Sequence, residues 1–220
     1  MVLSTYSADG ISVYDAVLTD DEFRTLRQWA ELARYQGVHH EQWRSVWRHG
    51  EGEPLRGPTW SIPTQDVSTG NAPGNLPTAL WPLAVTLVRT LREASRTFAG
   101  VSLTPWIYPT GTALGLHKDD GSFAGSYIFY TVPEWDVHWG GLLHCVADPP
   151  DAEVPRRAIL DMTAERRSVS SVGRGTWIAP AANRLVTLAP HVRHFISRVD
   201  PNAGDRPRTS IAGFLHRTLT

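Results

Sequence analysis

The chain has 220 residues, 41% hydrophobic and 20% charged, which places it among ordinary globular proteins and suits one domain with a sizeable core. Its 21 basic and 22 acidic residues leave a formal charge of −1, so there is no global electrostatic case for nucleic acid or an anionic membrane as partner. One cysteine, Cys145, excludes an intramolecular disulfide and makes a reducing cytoplasm the expected compartment, with the thiol itself expected to be buried and inert. No charged-then-apolar leader, long apolar run, internal repeat or low-complexity segment is read.

In chain order, Ile11 to Leu18 alternates enough (Ile11, Val13, Val17) to predict a short strand. Thr19-Asp20-Asp21-Glu22 has the form of a capping box, and Phe23, Leu26, Ala30 and Ala33 continue it as the apolar stripe of a helix that Gly37 stops. Residues 38–76 are irregular, with three tryptophans (Trp43, Trp47, Trp60) and three histidines (His39, His40, His49). Adjacent side chains diverge, so His39 and His40 are expected as a solvated or hydrogen-bonded pair, not joint metal ligands. Loops of this length are usually binding loops or mobile segments. Within it, Arg56 to Ser61 is the candidate for substrate contact, Trp60 offering a flat apolar face to a ligand or equally to the core. A second helix starts near Pro77-Thr78, its face formed by Leu80, Leu83, Ala84, Leu87, Val88, Leu91 and Ala94, and ends before Gly100. Strands dominate from Val101, with an insertion opening at Asp148 and a flexible loop over Ser168 to Gly175. Helices first and strands after predict an α+β, mainly β chain. Residues 1–100 give helical support and substrate loops, residues 101–220 give a double-sheet jelly roll, and no linker splits the whole.

The chemistry concentrates between Trp106 and Cys145. His117 and Asp119 flank Lys118 just after a turn marked by Gly111 and Gly115, and in extended backbone both point the same way. An imidazole and a carboxylate aimed at one point are two members of the two-histidine, one-carboxylate set that holds Fe(II) with open positions. Asp120 is the rival carboxylate, on the opposite face unless a bulge intervenes. The second histidine lies in the run holding His191 and His194. His194 is favoured because it enters an alternating strand, whereas His191 follows Pro190 in a loop. Beyond it, Arg208 opens another alternating run, where a guanidinium can clamp a carboxylate with two parallel hydrogen bonds. Zinc also accepts two histidines and a carboxylate, but a hydrolytic zinc site leaves Arg208 without a task.

Over roughly Trp106 to His216, this order resembles the Fe(II)- and 2-oxoglutarate-dependent oxygenases of the prolyl-hydroxylase-like branch. The likeness extends to Tyr108 before the His-x-Asp turn, Ser126-Tyr127-Ile128-Phe129-Tyr130, Trp135-Asp136, Gly140-Gly141-Leu142-Leu143, and Asn183 to Val186. The long gap between His194 and Arg208, read as an extended hairpin turn over Asp200 to Asp205, departs from the pattern and leaves Arg206 as a rival clamp. The resemblance implies a double-stranded β-helix core with Fe(II), 2-oxoglutarate and O₂ as cofactor and co-substrates. His117, Asp119 and His194 would hold the metal, and Arg208 the distal carboxylate of 2-oxoglutarate, with Tyr130 or Thr131 adding a hydrogen bond and Tyr108 nearby. Asp119 fills the position a halide would need, which disfavours halogenation. The outcome is hydroxylation, ring closure, epimerisation or desaturation.

Trp135, His138, Trp139 and His144 are candidate pocket residues beside Trp60, and Arg198 or Arg217 a candidate partner for an acidic group. A chain without recognition modules suggests a small-molecule, natural-product substrate. A prolyl or other peptide side chain is the alternative, and a non-oxidative metal-binding β-barrel (metallohydrolase, isomerase or binding module) the competing class.

Overall fold

The computed structural model describes residues 4–38, 50–94, 97–146 and 173–218. His39, His40, Trp43, Trp47, His49, the insertion from Asp148 and residues 168–172 lie outside them. Strands β1 (Ser4–Ala8) and β2 (Ile11–Tyr14) form a hairpin. Its turn residues, Asp9 (φ 52°) and Gly10 (φ 79°), both take positive φ, the two-residue turn whose twist matches that of the flanking strands. The strand predicted to run to Leu18 therefore ends at Tyr14.

Helix α1 (Asp20–Leu32) begins on a complete capping box between Thr19 and Glu22. It stops at Ala33, short of Gly37, because Ala33 turns extended and Gln36–Gly37 is used as strand β3. The Tyr35 hydroxyl donates to the Ala30 carbonyl at 2.7 Å, a second donor on an acceptor that the helix end supplies only with the long Ala33 N–H bond of 3.4 Å. Next come β4 (Leu55–Arg56), β5 (Trp60–Pro63) and α2 (Thr64–Thr69), then a 3₁₀ turn over Thr78–Leu80 that leads into α3 (Trp81–Glu93). Strands β6 (Gly100–Tyr108), β7 (Leu114–His117), β8 (Phe123–Tyr130), β9 (Leu143–Val146), β10 (Gly175–Ile178), β11 (Leu185–Leu188), β12 (Arg193–Ile196) and β13 (Arg208–His216) complete the described chain.

Among the described residues nine strands make one sheet, ordered β1-β2-β11-β8-β13-β6-β4-β3 with β5 also on β6, and four make a second, ordered β10-β9-β12-β7. Every pairing is antiparallel. The chain is mainly β with the two-sheet jelly-roll arrangement. Five of the described strands in the large sheet come from the first hundred residues, a region expected to give helices, loops and one short strand over Ile11 to Leu18. The segment after β12 is a crossover between sheets rather than a hairpin turn, because β12 and β13 belong to different sheets.

The large sheet is covered on both faces. Leu83, Leu87 and Leu91 of α3 and Leu26 of α1 pack with Leu103, Phe129, Ile211 and Leu215 on one face. On the other, Val13, Ile128 and Val186 share a cluster with Leu143 and Ile196 of the small sheet. A leucine buried this completely contributes about 1.5–3 kcal/mol relative to an exposed one. Strand β13 passes so close to β6 that a Cβ at Gly213 would lie 1.8 Å from the Ser102 carbonyl oxygen.

Asn183 ties the start of β11 to the segment before α1. At φ 59° it occupies the left-handed region, its Oδ1 accepts from the Leu18 amide at 3.0 Å, and its Nδ2 donates to the Leu18 carbonyl at 2.7 Å. Asn183→Ala removes both buried bonds and leaves a β-carbon in a disfavoured backbone region, so a loss of about 2–4 kcal/mol is expected in urea unfolding. An unchanged midpoint would show that Asn183 does not anchor this junction.

Candidate metal centre

His117 closes β7 and His194 lies in β12, and the two are direct partners across the antiparallel pair. Direct partners project from the same face, and their rings lie 4.3 Å apart between centroids. The register slips by one residue between His194 and Ile196, a bulge of the kind that re-aims side chains. Asp119 lies two residues past the end of β7, its Oδ1 3.8 Å from His117 Nε2. One ligand atom from each of His117, Asp119 and His194 falls within 4.8 Å of the others.

Hydrogen bonds orient all three side chains. His117 Nδ1 lies 2.8 Å from the Gly115 carbonyl and His194 Nδ1 3.1 Å from the Val192 carbonyl. Each pairing puts the ring proton on Nδ1 and the lone pair on Nε2, the nitrogen that would bind a metal. The Ser126 hydroxyl, reaching from β8 in the large sheet, donates to Asp119 Oδ2, so the two carboxylate oxygens have different neighbours. Two neutral imidazoles and one carboxylate suit Fe(II). The rivals stand outside this cluster, although Asp120 lines the same cavity. Asp120 accepts from the Ser122 amide at 2.8 Å, and exposed His191 packs beside Gly10.

The cluster opens into a cavity of about 670 Å³ that also contains Arg208 and Tyr108. Arg208 is 1% exposed. Its Nε donates to the Gly141 carbonyl at 2.9 Å and its Nη2 to the Tyr130 hydroxyl at 3.3 Å. Its guanidinium carbon lies 5.2 Å from the Tyr108 ring centre and 4.9 Å from that of Tyr130. Burial raises both phenol pKa values against the opposing pull of Arg208, so both hydroxyls stay protonated. Among the described residues no carboxylate pairs with Arg208. A buried cation with only neutral partners favours an anion beside it. Arg206 is mostly exposed, 4.0 Å from Glu134 and over the Trp139 ring, so of the two rivals only Arg208 is buried beside the metal-site cavity.

Several expected pocket residues face other ways, and for those on or beside strands parity is the reason. Thr131 follows inward-facing Tyr130 and lines a separate cavity of about 400 Å³ with Trp135 and Arg206. Trp60 packs edge-on against Trp29 in the helix-side core, whereas Arg56, Thr59 and Ser61 do line the main cavity. His144 is paired with Phe195 and stacks on it at 4.5 Å, on the face opposite Cys145 and His194. His138 is exposed, and Trp139 packs on Trp135. Arg198 donates to the Gly50 and Gly111 carbonyls, and Arg217 is exposed. Ser126 and Ser210 went unrecognised in the sequence. Ser126 is in phase with Tyr130 and Ser210 with Arg208, and that two-residue spacing was the available signal.

No protein-family model matches the chain, and no curated protein matches it in sequence. Solved structures do. A prolyl-4-hydroxylase from Pseudomonas putida aligns over 96% of this chain and 94% of its own at 16% identity and TM-score 0.59. An oxidoreductase of the 2OG-Fe(II) oxygenase family from Burkholderia pseudomallei covers 95% and 86% at 13% identity and TM-score 0.59. SnoN, the non-heme α-ketoglutarate-dependent epimerase of nogalamycin biosynthesis, covers 94% and 79% at 14% identity and TM-score 0.60. The fold is that of the prolyl-hydroxylase-like 2-oxoglutarate and iron oxygenases.

Two outcomes are expected from these contacts. Ser126→Ala should lower Fe(II) affinity about 10- to 100-fold in anaerobic titration, as loss of a ligand's orienting partner usually does; unchanged affinity would remove Ser126 from the centre. Burial pushes the Cys145 thiol up to about 12, leaving almost no thiolate at pH 8. Folded protein should resist iodoacetamide and take up one equivalent only after denaturation.

Proposed function

We propose that the chain is an Fe(II)- and 2-oxoglutarate-dependent dioxygenase that oxidises an unactivated C–H bond of a small molecule. The observation that carries this reading is the buried Arg208, without a carboxylate partner among the described residues, in the same cavity as His117, Asp119 and His194. A zinc hydrolase gives that cation no evident task, and a binding barrel gains nothing from three ionisable side chains converging in its core, where unpaired charge is costly to bury.

His117 and His194 would supply their Nε2 lone pairs to the metal and Asp119 its Oδ1, while Ser126 keeps Oδ2 engaged. Arg208 would neutralise the distal carboxylate of 2-oxoglutarate through its fork of N–H donors. The Tyr130 hydroxyl already accepts from Arg208, which leaves its own proton for that carboxylate. Tyr108 lies against the same guanidinium, and Ser210 offers a hydroxyl from the same inner row of β13. When bound, iron, 2-oxoglutarate and O₂ supply the C–H oxidation, with succinate and CO₂ as co-products.

SnoN's role in nogalamycin biosynthesis and the cavity's size support a natural-product substrate of modest dimensions. The Pseudomonas prolyl-4-hydroxylase keeps a peptide side chain as the alternative. Under this reading residues 1–220 form one oxygenase domain, with the helices on the large sheet's outer face as its support. None of the described helices is long and apolar enough to cross a membrane, and the proposed setting is the cytoplasm.

The deciding experiment is anaerobic titration of Fe(II)-loaded protein with 2-oxoglutarate, following the visible charge-transfer band of the chelate. The band should appear in the wild type and vanish in His194→Ala. Arg208→Ala should weaken 2-oxoglutarate binding on the order of 100-fold with iron binding retained, the usual cost of deleting one partner of a buried charge pair. Arg208→Lys should restore only part of that loss, since an ammonium lacks the fork. Bound iron without a band would overturn the assignment.

A further inference from the structure

Past the metal centre, away from Arg208, the cavity continues along the inner row of β13 to Phe214 and His216. Phe214 is the direct partner of Ser126, whose hydroxyl holds Asp119, so Phe214 stands one strand away from the metal-binding carboxylate's anchor. The Phe214 ring stacks on Phe123 at 4.2 Å and 14°. His216, the partner of Phe123, meets that ring edge-on at 5.3 Å. All three line the cavity. A stacked pair of this kind offers a flat, apolar face to a second planar group.

His216 has no side-chain hydrogen bond among the described residues, and its Nε2 is enclosed with no partner. Burial lowers its pKa, which keeps the ring neutral. Buried polar atoms are nearly always paired, so an orphan beside a cavity asks for the group that completes it. The χ2 torsion of histidine is broad and roughly two-fold. A half-turn exchanges Nε2 with a ring carbon and moves the nitrogen to the other edge of the ring.

We infer that Phe123, Phe214 and His216 form the subsite for the primary substrate, and that this substrate is a planar ring system bearing a neutral hydroxyl. The ring lies on the Phe214 face, the hydroxyl bonds the His216 imidazole, and the carbon to be oxidised points at the metal centre. Inner-facing residues two apart on a strand are separated by about 7 Å. A ring system that spans this step from Phe214 to His216 has about the length of two fused six-membered rings. This orientation rests on the oxygenase reading, whereas the subsite itself is defined by residues that bind no metal.

The test is equilibrium binding of 2-naphthol, naphthalene and N-acetylproline amide to metal-free protein, with circular dichroism to verify each variant's fold. 2-Naphthol should bind about tenfold tighter than naphthalene, because a site built to bond a hydroxyl rejects the analogue that lacks one. His216→Phe keeps a ring in place and should abolish that preference while retaining naphthalene. Phe214→Leu should weaken both aromatic probes about fivefold and leave the preference intact. Equal affinity for the two in wild type, a preference that survives His216→Phe, tighter binding of the prolyl probe, or no aromatic binding would each overturn the subsite. Because no metal is present, failure here is separate from failure of the iron and 2-oxoglutarate titration.

Discussion

The pairing of His194 with His117 across β12 and β7 is the constraint on which the centre depends. A one-residue slip in an antiparallel pair turns every side chain to the other face, and here it would carry one imidazole out of the cavity. The register is held by pairing on both sides of β12, since β9 matches it residue for residue from Arg193 to Ile196. Asp119 lies beyond the regular strand and needs its own anchor, which Ser126 provides from the opposite sheet. Two of the candidate ligands are therefore set by one sheet, and the third is held between both. The sandwich geometry, with sheets about 10 Å apart, becomes part of the coordination geometry.

Arg208 shows a second way of holding charge in this interior. Its neighbours are two ring faces, a phenol oxygen and a main-chain carbonyl. These orient the guanidinium and partly solvate it without neutralising it. Cation–π contacts and neutral hydrogen bonds are each modest, so a standing attraction for an anion remains. The same groups that make the position tolerable empty make it selective when filled.

Local patterns made some of this legible and non-local ones hid the rest. The capping box at Thr19, the apolar face of α3 and the alternation of β13 are properties of a few consecutive residues, and they are present in the fold. The geometry of His117, Asp119 and His194 combined a local spacing with a distant histidine, and was readable only through the order of several motifs. His144 was misplaced, and Trp60 was left equally open to ligand or core, because strand composition does not say which face is inward. For Trp60 that is decided by its pairing with Leu103, and for His144 by its pairing with Phe195. Strand β1, all serine, threonine, tyrosine and alanine and wholly exposed, has no apolar alternation to find. Only its Asp-Gly turn announces it.

Strand β13 separates two kinds of work by parity. Ile211 and Leu215 face the helices and carry folding free energy, and Gly213 admits the backbone of β6. Arg208, Ser210, Ala212, Phe214 and His216 face the cavity. Substitution at Ala212, Phe214 or His216 thus alters what the cavity accepts while leaving the helix-side packing in place. In evolutionary terms, this is a chassis whose selectivity can drift one alternate residue at a time without a matching debt in foldability. Duplicated copies would be expected to diverge first at those positions, and a designer seeking a new substrate would randomise the same row.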